Sequence, residues 1–167
     1  MRISEKLRAA SNKFDNVRYV RGGLCFALLL LSMTGCLSPL LRSKNERMIA
    51  AAEKGDYEKV RDLVLDGADP NARDNFSGSA MMYAAAGGNR DIVHFLLLKG
   101  VDINARYRLQ RTALICAAME GRTEIVKMLI ERGADPNLRD FDDRTALEWA
   151  KQNEHIETIR ILQEEFH

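Results

Sequence analysis

Side chains that could act as nucleophiles, bases or metal ligands are few in this sequence, and their spacing does not assemble a reaction centre. His94 and His155 do not occupy equivalent positions, and no histidine belongs to an HExxH motif. Cys116 lies among apolar residues of a predicted helix, where a packed thiol is far more common than a reactive one. The Gly87-Gly88 pair is too short to form a phosphate-binding loop. We therefore expect no enzyme, no metal, no cofactor and no small-molecule substrate.

Another cysteine stands where lipid attachment is the expected chemistry. An apolar run from Leu24 follows a segment rich in Arg and Lys and ends at Thr34-Gly35-Cys36, which is the layout of a secretory signal peptide. The residues Met33-Thr34-Gly35-Cys36 resemble the lipobox of bacterial lipoproteins. That resemblance implies cleavage before Cys36 and acylation of its thiol and its new amino group. It predicts a signal peptide over 1–35 and a lipidated Cys36 that begins a tether over 36–45.

Other interpretations of this N-terminal segment remain open. Apolar character extends from Leu24 to Leu41, which is just long enough for an uncleaved membrane anchor, although small and polar residues weaken that span. Translation from Met33 or Met48 would give a form that lacks the signal. If the chain is a lipoprotein, Leu37 after the cysteine resembles the sorting pattern for the outer membrane. The expected location is then the cell envelope, lipid-anchored and facing the periplasm.

The charge distribution argues against a nucleic-acid binder. Residues 1–35 hold six basic and two acidic side chains, which leaves 19 basic and 22 acidic side chains in residues 36–167. Nucleic-acid-binding domains usually carry a strong basic excess. Only Cys116 among the three cysteines lies after residue 36, so the sequence offers neither a disulfide framework nor a CxxC metal site there.

A spacing of 33 residues dominates the sequence after residue 46. A fixed period of this length is the signature of a repeat architecture, in which each unit buries its apolar face against its neighbours. The recurring positions are Gly55, Gly88 and Gly121; Ala51, Ala84, Ala117 and Ala150; Leu63, Leu96, Leu129 and Leu162; and Asp69, Asp102 and Asp135.

The sequence of each unit predicts a helix, a turn, a second helix and a long loop. In the third unit, Thr112 is the expected cap of a first helix with an apolar stripe. Gly121 ends that helix, and apolar positions at helical spacing from Thr123 predict the second. Gly133 stops the second helix, and the turn-forming residues that follow, including Asp135, predict a hairpin-like reversal of the chain.

These units resemble ankyrin repeats. The family carries T-P-L-H-x-A-A at the first helix, and this chain has Thr112-Ala113-Leu114-Ile115-Cys116-Ala117-Ala118. No unit retains the His, so the hydrogen-bond ladder that the family builds from it must be absent or replaced. The resemblance implies an all-α ankyrin solenoid of four helix-turn-helix repeats with hairpin-like loops, over about 46–75, 76–108, 109–141 and 142–166.

By analogy with that family, partners contact the loop tips and the exposed face of the first helix. Arg73, Arg106 and Arg139 are 33 residues apart and are expected to lie in a row at neighbouring tips. Aromatic residues and Arg dominate interface hot spots, which predicts a protein partner with an acidic patch and apolar pockets. Alternatively, these arginines are simply solvated and the apolar residues fold back onto the loops. The candidate contact residues are Arg73, Phe76, Arg106, Arg108, Leu109, Arg111, Met119, Glu120, Arg139, Phe141, Asp142 and Arg144.

The resemblances together suggest a non-catalytic protein-protein interaction module tethered to the periplasmic side of a membrane. One hypothesis is an immunity protein that inhibits a secreted interbacterial toxin, such as a lipase effector that attacks the bilayer. A second is a partner or stabiliser of a resident periplasmic enzyme, for instance in oxidative-stress defence. A third is a structural envelope protein with no discrete partner.

Overall fold

The computed structural model describes residues 43–164. The predicted signal peptide, Cys36 and the predicted tether up to residue 42 lie outside the described residues. One helix, α1, begins at Lys44, two residues before the predicted start of the repeats. The helices are α1 (Lys44–Glu53), α2 (Tyr57–Leu65), α3 (Ala80–Gly87), α4 (Arg90–Leu98), α5 (Ala113–Met119), α6 (Thr123–Glu131), α7 (Ala146–Gln152) and α8 (Ile156–Glu164), with a 3-10 turn at Arg108–Gln110.

The helices of residues 43–164 form two layers of a repeat stack. The first helices of the units, α1, α3, α5 and α7, pack side by side in chain order, and each second helix packs on the first helix of its own unit. The second helices α2, α4, α6 and α8 contact one another in the same order. This is the predicted arrangement of four helix-turn-helix units. Within the described residues no helix has both the length and the apolar character needed to cross a membrane.

Residues that recur with the 33-residue period are buried. Ala51, Ala84, Ala117 and Ala150 are at most 3% exposed, and their small side chains let neighbouring first helices approach closely. The recurring leucines Leu63, Leu96, Leu129 and Leu162 are at most 6% exposed. Burying each leucine contributes roughly 1.5–3 kcal/mol. The repeated positions therefore form the core, as the sequence predicts.

Hydroxyl side chains start the first helices at equivalent positions. Ser79, Thr112 and Thr145 accept hydrogen bonds from the backbone N–H three residues later, at 3.2, 3.3 and 3.3 Å. Each bond satisfies a helix-end donor that would otherwise lack a partner, and the predicted cap at Thr112 is confirmed. After α5, Gly121 adopts a φ of 63°, and a Cβ there would lie 2.6 Å from Nδ1 of His155. Both the backbone angle and the space therefore require glycine.

Candidate interaction surface

Three long loops join the repeats, and we call them tip 1 (66–79), tip 2 (99–112) and tip 3 (132–145). Each begins with a turn held by an aspartate. Oδ1 of Asp69, Asp102 and Asp135 accepts the backbone N–H two residues later, at 2.9 Å in each case. These recurring carboxylates are turn residues, as the sequence predicts, because their oxygens are used in the same backbone role in every loop.

Hydrogen bonds connect the three tips to one another. The backbone N–H of Arg108 in tip 2 donates to the carbonyl of Ser77 in tip 1 at 3.0 Å. The N–H of Phe141 in tip 3 donates to the carbonyl of Leu109 at 2.9 Å. Arg106 Nη1 also donates to the carbonyl of Arg139 at 3.1 Å. The tips consequently present their side chains from one continuous backbone surface.

A carboxylate organises the end of tip 1. Asp74 Oδ1 accepts the backbone N–H groups of Phe76 and Gly78, each at 2.8 Å, and its Oδ2 accepts the hydroxyl of Tyr83 at 2.8 Å. Burial opposes ionisation of Asp74, but these hydrogen bonds and the charge of Arg108 outweigh it and lower the pKa of the carboxyl. Burial and the bond to Asp74 raise the pKa of Tyr83 to about 12.

An equivalent carboxylate organises tip 3 and is buried more deeply. The Asp140 side chain is 1% exposed, and its Oδ1 accepts the N–H groups of Asp142 and Arg144 at 2.9 and 3.1 Å. Its Oδ2 accepts the indole N–H of Trp149 at 2.8 Å and Arg111 Nε at 3.4 Å. Burial raises the pKa of the carboxyl less than these four donors lower it, so the net shift is downward.

Tip 2 lacks this carboxylate. Tyr107 stands at the position equivalent to Asp74 and Asp140 and is 6% exposed. Two following residues, Leu109 and Gln110, adopt φ angles of 56° and 59°. Side chains other than glycine, asparagine and aspartate are rare in this left-handed region and strained there. At the position of Gln110, tips 1 and 3 have Ser77 and Asp143 with φ angles of 59° and 60°, so only the left-handed angle of Leu109 distinguishes tip 2. The middle tip therefore reverses the chain with a strained leucine and without an organising aspartate.

Three large apolar side chains project from the connected tips. Phe76 is 68% exposed, Leu109 is 47% exposed and Phe141 is 77% exposed, as the sequence predicts. We call these side chains together with Arg73, Arg106, Arg108, Arg139 and Arg144 the tip surface. The second helices carry a matched set of exposed apolar side chains, which are Leu65, Leu98 and Ile156.

Some candidate arginines are held by aromatic rings. Arg73 stacks over the ring of Tyr107 with its guanidinium carbon 5.1 Å from the centroid. Arg108 lies over Phe76 at 6.0 Å. A guanidinium over an aromatic face keeps its charge while its orientation is restricted. These stacked pairs connect tip 1 with tip 2.

Other candidate arginines have carboxylate partners. Arg111, whose side chain is 19% exposed, pairs with Asp140 at 3.4 Å. Arg139 Nη1 lies 3.6 Å from Asp143 and 3.4 Å from Glu148. The charges of Arg111 and Arg139 are therefore neutralised within the chain.

The remaining candidates lie beside these two groups. The guanidiniums of Arg111 and Arg144 lie 4.8 and 4.7 Å from the ring of Trp149. Glu120 and Asp142 are exposed, and Met119 is partly buried at the end of α5.

Side chains at one repeated position connect each repeat to the repeat before it. Arg122 Nε donates to the carbonyl of Ala86 at 2.9 Å, and His155 Nε2 lies 3.0 Å from the carbonyl of Met119. Asn89, at the equivalent position, reaches Ala52 at 3.5 Å. Each contact joins the residue that precedes a second helix to the C-terminal end of the first helix of the preceding repeat. This position was not predicted from the sequence. The feature that marks it there is a polar residue directly after the turn that ends each first helix.

The one thiol within residues 43–164 is buried. Cys116 is 3% exposed, and burial raises its pKa to about 12. A thiol held in its neutral form is a poor nucleophile. This placement agrees with the prediction of a packed cysteine.

Repeated helix pairs that stack through buried alanines and leucines define a helical solenoid. The family model of ankyrin repeats (3 copies) matches residues 48–140 and 97–167. The chain therefore belongs to the ankyrin repeat family, whose repeats are generally protein-protein interaction modules. No curated protein matches the chain.

Proposed function

We propose that this chain is a lipid-tethered recognition protein that binds one protein partner through the tip surface. The observation that carries the proposal is the exposure of Phe76, Leu109 and Phe141 on loops that are hydrogen-bonded to one another. Apolar anchors on a backbone with few alternative conformations lose little entropy on binding. Arginine and aromatic side chains are also the residue types that most often dominate binding energy.

The tether part of the proposal rests on the segment Met33-Thr34-Gly35-Cys36. Lipidation at Cys36 would leave only the few residues before Ser43 between the lipid and the first helix. An extended chain spans at most about 3.3–3.6 Å per residue, so the repeats would work close to the bilayer. We propose the outer membrane, on its periplasmic side, as that bilayer.

The role we propose for such a protein is immunity: inhibition of a secreted toxin that acts at the membrane, such as a lipase effector. A tethered inhibitor would lie at the membrane on which the toxin acts, and its local concentration there would be high. The apolar side chains and arginines of the tips suit a toxin surface with apolar pockets and acidic groups.

Affinity capture from envelope extract with residues 37–167 as bait tests this function. A captured toxin whose lethality in the periplasm is abolished by co-expression of this chain would support immunity. A captured resident enzyme whose activity or lifetime rises with this chain would replace immunity with a supporting role. No captured protein, together with no protection against toxins delivered by neighbouring cells, would favour a structural envelope role.

Metabolic labelling with a fatty acid tests the tether. We expect label on the full chain and on the Cys25→Ser variant, with none on Cys36→Ala. Label that persists in Cys36→Ala would contradict the lipoprotein assignment, and an uncleaved, unlabelled chain in the membrane fraction would support a plain anchor.

A further inference from the structure

Charge is distributed unevenly along the ends of the three tips. Residues 73–79 carry one arginine and one aspartate, and residues 139–145 carry two arginines and three aspartates. Residues 106–112 carry three arginines and no acidic residue. Tyr107, which replaces the aspartate that organises the other two tips, accounts for one unit of charge in this difference. The end of the middle tip is therefore strongly positive, whereas the end of tip 1 is neutral and the end of tip 3 is slightly negative.

The arginines of tip 2 also differ in how much charge they can offer. Arg111 pairs with the buried Asp140 at 3.4 Å. Arg106 uses Nη1 for the carbonyl of Arg139, and Arg108 lies over an aromatic ring. Neither Arg106 nor Arg108 forms an ion pair with a carboxylate of residues 43–164. Both are exposed, so their remaining N–H donors face solvent.

We propose that the partner seats acidic side chains against Arg106 and Arg108 and a non-acidic surface against tip 3. The inference rests on the proposed function and specifies the partner's charge pattern. Phe76 lies beneath Arg108 and Leu109 follows it in the chain, and apolar neighbours that exclude water strengthen a charge-assisted hydrogen bond. Asp142 at tip 3 forms no ion pair within residues 43–164 and repels a uniformly charged polyanion. A protein with a localised acidic patch fits this pattern, whereas a nucleic acid, whose phosphates continue past the middle tip, does not.

Fluorescence anisotropy of a rhodamine-labelled hexaglutamate peptide tests the inference on the full chain in a non-ionic detergent. We expect saturable binding that weakens at least about tenfold in the Arg106→Gln/Arg108→Gln variant, since each charge-assisted hydrogen bond is worth roughly 1.5–3 kcal/mol, or tenfold or more. Arg90→Gln/Lys127→Gln is the matched control, because it removes the same charge from exposed residues of the second helices α4 and α6, outside the tips. Circular dichroism confirms that both variants keep their helices, and Arg106→Lys/Arg108→Lys serves if the glutamine variant unfolds. In that case we expect binding of intermediate strength, because lysine keeps the charge and loses the fork of donors.

Equal weakening in both glutamine variants would overturn the inference, since it would report net charge alone. Oligothymidylate that binds as tightly as hexaglutamate would overturn it in favour of a nucleic acid. Once a partner is captured, its binding to the Arg106→Gln/Arg108→Gln variant is compared with its binding to a variant that lacks the apolar side chains of the tips. If only the apolar variant loses binding, the charge pattern is refuted and the proposed function stands. Loss of partner binding in both the arginine variant and the apolar variant would support the inference.

Discussion

Trp149 donates its indole N–H to Asp140 Oδ2 at 2.8 Å, and Tyr83 donates its hydroxyl to Asp74 Oδ2 at the same distance two repeats earlier. In both places a carboxylate that holds a loop together is joined to the first helix that follows the loop. The side chain of Asp140 is 1% exposed. Removal of this carboxylate would therefore leave each of its donors without an acceptor at a site that water does not reach. These two contacts make the fold of tips 1 and 3 depend on single carboxylates.

Asp140→Ala should destabilise the protein by about 2–5 kcal/mol, because it leaves buried donors from Trp149, Arg111 and the loop backbone without their acceptor. Urea denaturation followed by circular dichroism measures the change. Asp142→Ala is the control, since this exposed neighbour should alter stability by less than about 0.5 kcal/mol. Equal effects of the two substitutions would show that the Asp140 contacts do not stabilise tip 3.

Stability should fall in acid partly through the same carboxylates. The pKa values of Asp74 and Asp140 are lowered by folding, so their contribution is fully present above the unfolded value of about 4 and is lost as pH falls through the folded value. We expect the urea midpoint to drop between about pH 5 and about pH 3. The drop should be smaller in Asp140→Asn, which no longer titrates there. A drop of unchanged size in this variant would contradict the assignment.

Backbone strain at tip 2 should be measurable at Leu109, whose φ is 56°. Leu109→Gly and Leu109→Ala both remove the exposed side chain, but only glycine adopts this angle without steric cost. The left-handed conformation costs other residues roughly 1–2 kcal/mol, part of which is offset by the greater freedom of glycine in the unfolded chain. The free energy of unfolding of Leu109→Gly should therefore exceed that of Leu109→Ala by about 1 kcal/mol. Thermal denaturation should show a correspondingly higher melting temperature for Leu109→Gly. An alanine variant that is equally or more stable would argue against strain.

Arg122 should stabilise the stack through its bond to the carbonyl of Ala86 at 2.9 Å. Arg122→Ala is expected to lower the free energy of unfolding by about 0.5–1.5 kcal/mol. Arg132→Ala removes the same exposed charge at the end of α6, and we expect less than about 0.5 kcal/mol from it. Matching losses in chemical denaturation would mean that the inter-repeat bond adds nothing.

The sequence predicts the repeat stack well because burial follows its 33-residue period. Ala84 and Leu96 recur at that spacing and lie in the core, and Thr112 caps its helix as its type and position indicate. Exposure of Phe76 and Phe141 could also be anticipated, since both precede the first helix of a repeat. These features depend on local propensity and on repetition, which a single sequence displays.

The contacts that shape the tips could not be predicted in the same way. The bond between Asp140 and Trp149 crosses a loop, and the position of Trp149 is occupied by tyrosine in one repeat and by cysteine in another. The pairing of Arg111 with Asp140 crosses to a neighbouring repeat, so it depends on how closely two loops approach. As a result, the sequence indicates a row of arginines, while the structure shows that Arg111 and Arg139 have carboxylate partners and that Arg73, Arg106, Arg108 and Arg144 have none within residues 43–164.

Binding of a captured and purified partner to two matched variants decides whether the tips are the interaction surface. Phe76→Ala/Leu109→Ala/Phe141→Ala removes the apolar side chains of the tips, and Leu65→Ala/Leu98→Ala/Ile156→Ala removes exposed apolar side chains of similar size from the second helices. Isothermal titration calorimetry should show affinity reduced at least about a hundredfold in the tip variant, since hot-spot truncations cost 2 kcal/mol or more each, and unchanged in the helix variant. An unaffected tip variant, or a helix variant that loses binding instead, would contradict the assignment of the tips as the interaction surface.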